Sequence, residues 1–248
     1  MSTSANELDT MIASCRDRLG DPAEWTDPDE YRHDLALCII DAVQSAAARY
    51  DRVVQVVDRY RAYRRARGAD TDPTDGARAL LHSFEEVGGS MAWAGKIGCY
   101  KRRYCDDEEP PRAQSIEDAA DRLYRLRIDS AEDLRAAAGR PALLAELERA
   151  WLSVSDDMDE ANWQYFLSLA GVPGRQQHGS DSRFVATALG RDQAPTALTR
   201  ELIHAAADHL QLSAADLDHA IWRWECNSTD RVPLPESTGD RRPLRVVA

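Results

Sequence analysis

The stretch "LSLAGVPGRQQHGSDSRFVATALG" (167–190) decides how this chain is read. A short apolar run closes at Gly171, and a polar loop containing Gly and Pro follows. Asp181 then stands where a new helix is expected to begin, ahead of Arg183 and Phe184. Two roles compete for it. One is a helix cap, worth about 1 kcal/mol. The other is a carboxylate that performs chemistry.

Working outward, the chain reads as helix almost throughout. "DLALCIIDAVQSAAARY" (34–50) is apolar over most of its circumference, which predicts a buried central helix. "RVVQVVDRYRAYRRARG" (52–68) sets Val53, Val56, Val57 and Tyr60 at the spacing of one helix face and stops at Gly68. Ser115 with Asp118, Ser130 with Asp133, and Ser213 with Asp216 each place a capping hydroxyl three residues before an acid. In "RPALLAELERAWLSV" (140–154), Pro141 sits where a first helical turn tolerates it. "LTRELIHAAADHLQL" (198–212) is amphipathic, and "LDHAIWRWE" (217–225) reads as a last helix. No segment alternates with period two long enough to suggest a sheet. The expectation is an all-α fold of many short helices in two lobes, spanning 1–226. Breaks are expected at "RGADTDPTDG" (67–76) and "YCDDEEPPRAQ" (104–114), and a polar tail over 227–248.

Composition narrows the function classes. The formal net charge of -12 disfavours indiscriminate polyanion binding, though a local basic patch remains compatible with it. The polar opening "MSTSANELDT" predicts no secretory leader, and no stretch has the apolar length of a membrane span. The five cysteines are irregularly spaced; Cys38, inside "LALCII", reads as a small buried side chain. A reduced, cytoplasmic protein without a disulfide framework is expected. Cys99 and Cys105 lack companions at zinc spacing, and His204 and His209 fall off a shared helix face. No metal and no cofactor are therefore expected. "GGSMAWAGKIG" (88–98) has no preceding strand and reads as a helix end and restart, not a phosphate loop.

The strongest positive cluster is "GKIGCYKRRYC" (95–105), where Lys96, Lys101, Arg102 and Arg103 interleave with Tyr100 and Tyr104. Cations with aromatics suit phosphate contact and base stacking; the plainer reading is that they offset the adjacent "DDEE". A second basic run, Arg59, Arg61, Arg64, Arg65 and Arg67, reads as the solvated face of a helix.

The order of parts around Asp181 carries a resemblance. A hairpin-like acidic loop (155–160) leads to an apolar helix, a Gly-Pro loop and then Asp181: "WQYFLSLAGVPGRQQHGSD" (163–181). With "IIDAVQSAAARYDRV" (39–53), this resembles the helix-hairpin-helix (HhH-GPD, endonuclease-III-like) DNA glycosylase superfamily over about 35–190. It is most similar to actinobacterial-type members with "LAGVPG" and "DLDHAIWRWE" segments and a degenerate hairpin. The resemblance implies a two-lobed helical fold, DNA as partner, Asp181 as the catalytic carboxylate and Gln44 as a residue approaching the minor groove. Lys96, Lys101, Arg102 and Arg103 become DNA-contact candidates, and Trp163, Tyr165 and Trp222 become candidate stacking walls for a flipped base.

Departures from the family pattern shape the function. The family hairpin is Gly-rich, so that backbone N–H groups approach a phosphate. Here "SVSDDMDEAN" (153–162) has four acids and no glycine. Where bifunctional members place a nucleophilic Lys, this chain offers Asp159, Glu160 and Ala161, which removes Schiff-base lyase chemistry. The first expectation is a monofunctional base-excision N-glycosylase acting on a modified or damaged base, or a protein retaining only that fold. The rival is a non-catalytic helical module binding a small molecule, or a protein through the acidic loop 155–160. Whether the protein is an enzyme stays open between them.

Overall fold

The most apolar segment organises the structure. In the computed structural model, which describes residues 5–22, 32–46, 50–68, 75–98, 112–172 and 178–227, Leu35–Ser45 forms a helix whose every residue is buried. Asp34 caps it, its carboxylate accepting from the Leu37 N–H at 2.9 Å. The helix order is α1 (Ala5–Leu19), α2 (Leu35–Ser45), α3 (Tyr50–Ala66), α4 (Ala77–Val87), α5 (Ser90–Lys96) and α6 (Arg112–Arg125). It continues with α7 (Ala131–Ala138), α8 (Pro141–Leu152), α9 (Glu160–Leu169), α10 (His178–Ala188), α11 (Thr196–Leu210) and α12 (Ala214–Asn227). There is no strand among the described residues. The fold class is all-α.

The hydrophobic core falls into two clusters. In the larger, α3, α4, α6 and α9 pack around α2. Its aromatic centre is Trp151 stacked on Phe166 at 4.1 Å, with Trp163 tilted against both. In the smaller, Met11, Ile12 and Cys15 of α1 meet Phe184, Leu202, Ile203, Leu217 and Ile221 of α10, α11 and α12. The N-terminal helix thus closes against the last three helices. Helix α12 joins the clusters: Leu217 and Ile221 belong to the smaller, Trp222 to the larger. Burying a Leu- or Phe-sized side chain contributes roughly 1.5–3 kcal/mol, so both clusters stabilise the fold.

Local signals explain most boundaries. Ser130 and Asp133 form a reciprocal capping box at α7. Ser213 and Asp216 do the same before α12, each backbone N–H donating to the other's side chain at 3.1 Å. Pro141 occupies the first turn of α8. Gly88 is left-handed at the end of α4 (φ 99°), and α5 restarts after Gly89. Three readings of the sequence need correction. The apolar segment 34–50 is not one helix: α2 ends at Ser45 and Tyr50 already begins α3. Ser115 is not a cap, because α6 begins at Arg112, so residues 112–114 are helix rather than loop. Asp118 instead accepts from the Gln114 side chain at 2.9 Å. Residues 104–111 and the tail from 228 lie outside the described residues.

Candidate active site

Helix α10 begins at His178, which puts Asp181 inside its first turn rather than at the cap. The capping role considered for Asp181 is therefore excluded. The side chain is buried, 3% exposed, and faces α12. Along α12, Asp218, Ile221, Trp222 and Glu225 share one face at i, i+3, i+4, i+7 spacing. That face places Asp218, 5% exposed, against Asp181, and the two carboxyls share a hydrogen bond.

Two hydrogen-bonded carboxyls need a proton between them. Burial pushes the affinity of both groups for protons up, and the Asp218 charge raises Asp181 further. A helix N-terminus favours an ionised Asp by about 0.3–1 kcal/mol. That is too little to offset near-complete removal from water, which costs several kcal/mol for an ion. Asp218 is held down relative to Asp181 by accepting its hydrogen bond. The pair thus loses its two protons in separate steps, with Asp181 the harder to ionise. This differs from the lone ionised carboxylate that the sequence suggested: the two carboxyls titrate as one pair. The outer oxygens, Asp181 Oδ1 and Asp218 Oδ1, are buried without a hydrogen-bond partner. Glu225, one face-repeat further along α12, raises Asp181 again and is ion-paired with Arg183.

A second polar group lies where α12 meets α2 and α9. The Tyr165 hydroxyl donates to Asp41 Oδ1 at 2.8 Å and lies 3.2 Å from His219 Nε2. Ser45 also donates to Asp41 Oδ1, at 3.0 Å. Tyr165 stacks on Trp222 at 4.6 Å. Asn162, in the first turn of α9, bridges from the Trp151 indole N–H (2.9 Å) to the Ala42 carbonyl (2.6 Å).

Each residue singled out in the sequence now has a position. Tyr165 and Trp222 come together, but as a buried stack on each other. Trp163 is 1% exposed within the Trp151–Phe166 group, so its ring faces are filled by core side chains. Gln44 is buried near the end of α2. Lys96 is exposed at the end of α5, its ammonium 5.9 Å from the Tyr63 ring centre. Lys101, Arg102 and Arg103 lie outside the described residues. Cys38 is buried, as read. The acidic turn exposes Asp156, Asp157, Asp159 and Glu160; Asp159 caps α9, and Asp157 pairs with Arg112 at 2.5 Å. No group of three or more His, Cys, Asp or Glu suited to a metal ion occurs among the described residues. No helix among them is long and apolar enough to cross a membrane.

The chain belongs to the DUF8548 family. That family's model, described as a domain of unknown function, matches residues 9–226. No curated protein and no solved structure matches the chain. The DUF8548 match begins within α1 and ends within α12, so both core clusters and the Asp181–Asp218 pair belong to the family domain.

Sequence reasoning overlooked Asp218, Asp41 and His219. A signal was present for the first two: each is an acid on an otherwise apolar helical face, Asp41 within "CIIDAV" and Asp218 beside Leu217, Ile221 and Trp222. A carboxylate in such a place needs a partner from another helix.

Proposed function

We propose that this protein is a monofunctional DNA N-glycosylase of the helix-hairpin-helix type, acting on a modified or damaged base. The observation that carries this reading is the Asp181–Asp218 pair, two buried carboxyls set against each other from the first turn of α10 and from α12. Cleaving an N-glycosidic bond develops positive charge on the sugar. A single negative charge confined to a buried pair stabilises that charge far better than a solvated carboxylate does. The same pair offers a base for an attacking water. The absence of a Lys after the α8–α9 turn supports hydrolysis without lyase chemistry.

The test is incubation of the protein with duplex oligonucleotides carrying a panel of altered bases, scored by alkaline cleavage at abasic sites. Asp181→Asn and Asp218→Asn should each lower excision about a hundred- to a thousand-fold, the typical value of such an electrostatic group. Failure of the wild type on every base would sink the reading.

One observation favours a second reading. The α8–α9 turn presents four acids and no glycine, which suits a basic protein segment better than a phosphate. In that case the fold serves as a non-catalytic binding module, and the carboxyl pair is structural.

A further inference from the structure

Helix α4 is amphipathic. Ala77, Leu80, Ser83 and Phe84 are buried. Arg78, Leu81, His82 and Glu85 form the opposite face at i, i+3, i+4 and i+7 spacing. A cavity of about 420 Å³ runs along that face, bounded by Arg64 of α3 and Tyr124 of α6. Small-molecule sites span roughly 300–1,000 Å³, so the cavity has room for a single ring with its substituents.

The lining has a polarity. Both arginines are fixed from behind by carboxylates. Asp75 accepts from Arg64 Nε at 2.6 Å and from Nη2 at 2.9 Å. Asp129 accepts the Arg78 backbone N–H at 2.8 Å and lies 3.5 Å from its Nε. These contacts leave Nη1 of Arg64 and both Nη groups of Arg78 for an incoming anion, and a guanidinium edge matches carboxylate or phosphate geometry. Fixing the side chains beforehand lowers the ordering cost of binding. Glu85 stands two helical turns from Arg78, about 10.5 Å along the axis. It hydrogen-bonds the His82 ring at 3.3 Å and lies near Glu117 of α6. Cations thus gather at one end of the cavity and acids at the other, so an anionic group has one favoured end. Tyr124 supplies the apolar wall. It is 39% exposed and, with Met91, is one of two exposed large apolar side chains among the described residues.

We propose that this cavity binds a small planar anion, an aromatic ring carrying one carboxylate or phosphate. The anionic group lies on Arg64 and Arg78, and the ring lies against Tyr124 and Leu81. The site is separate from the Asp181–Asp218 pair, because α10 and α12 pack on each other and on α1, α3 and α11 rather than on α4 and α6. Binding there does not depend on base excision.

The experiment is isothermal titration of the full chain with benzoate and with phenyl phosphate. Cyclohexanecarboxylate and inorganic phosphate are the comparison ligands. At least one aromatic anion should bind saturably, and the tighter of the two identifies the headgroup. Each comparison ligand lacks the planar ring and should bind more weakly. Arg78→Gln should weaken binding about tenfold or more, the value of a hydrogen bond to a charged group. Tyr124→Ala should weaken it as well. Arg200→Gln on α11 and Met91→Ala on α5 remove comparable exposed groups outside the cavity and should leave the affinity unchanged. Circular dichroism melts establish that each variant is folded. Saturable binding of neither aromatic anion would overturn the proposal. So would full affinity in Arg78→Gln or Tyr124→Ala, an equal loss in the two outside variants, or inorganic phosphate binding as tightly as phenyl phosphate.

Discussion

The Tyr165 hydroxyl donates to Asp41 Oδ1 at 2.8 Å and so fastens α9 to α2 inside the larger core cluster. Asp41 is fully buried, and no solvent replaces a donor it loses. Tyr165→Phe keeps the stack on Trp222 and removes only the hydroxyl. It should destabilise the protein by about 1–3 kcal/mol, the cost of leaving a buried acceptor short of a partner. Urea unfolding measures this; a change under about 0.5 kcal/mol would show that the hydroxyl contributes little.

Asp34 pairs a capping role with burial. Removal from water raises its carboxyl to about 8, against the partial relief of the Leu37 N–H bond. A folded-state value above the unfolded one means the native state holds its proton longer. Stability is therefore highest at acid pH and is lost as pH rises through the interval from near 4 to about 8. Asparagine caps about as well as aspartate and carries no charge. Asp34→Asn should thus raise the melting temperature at pH 8 and change it little at pH 4. Equal shifts at both pH values would refute this.

The Asp181–Asp218 pair follows the same sign. Both carboxyls are raised, so the folded state binds more protons than the unfolded chain, and stability falls as pH climbs through neutrality into the alkaline range. Asp181→Asn preserves a donor toward Asp218 while removing one titrating group. The variant should lose less stability than the wild type between neutral and alkaline pH. Parallel stability curves for the two proteins would contradict a shared proton.

Gly76 and Gly190 should respond differently to alanine. At Gly76 the backbone is extended, but a Cβ would stand 1.8 Å from the Asp129 carbonyl oxygen. That oxygen accepts from the Ala77 N–H, so it has no freedom to withdraw. Gly190 has φ +62° and open space around it. Gly190→Ala should cost about 1–2 kcal/mol for the left-handed conformation alone. Gly76→Ala should cost more, about 3 kcal/mol or beyond, because the loop before α4 must separate from the one before α7. Thermal melts of the two variants give the order, and a milder Gly76→Ala would show that this contact yields easily.

The amino-acid sequence by itself determined the helical class, the buried character of α2, and the starts of α7, α8 and α12. Those features depend on short-range chemistry: Ser130 with Asp133, Ser213 with Asp216 and Pro141 act within one turn of chain. The same short range explains its failures. Ser115 and Asp118 have capping spacing inside a continuous helix, and the Ala-rich 46–50 stretch preserves an apolar pattern across a real boundary. Only the tertiary structure decided that α1 joins the last three helices, that Arg64 and Arg67 pair with Asp75 and Glu86, and that Asp181 faces Asp218. Each of these depends on which helices meet. Helix periodicity shows that a face is buried, but the partner that buries it is chosen by the packing of the whole chain, where many weak contacts add and no single residue pair carries the signal.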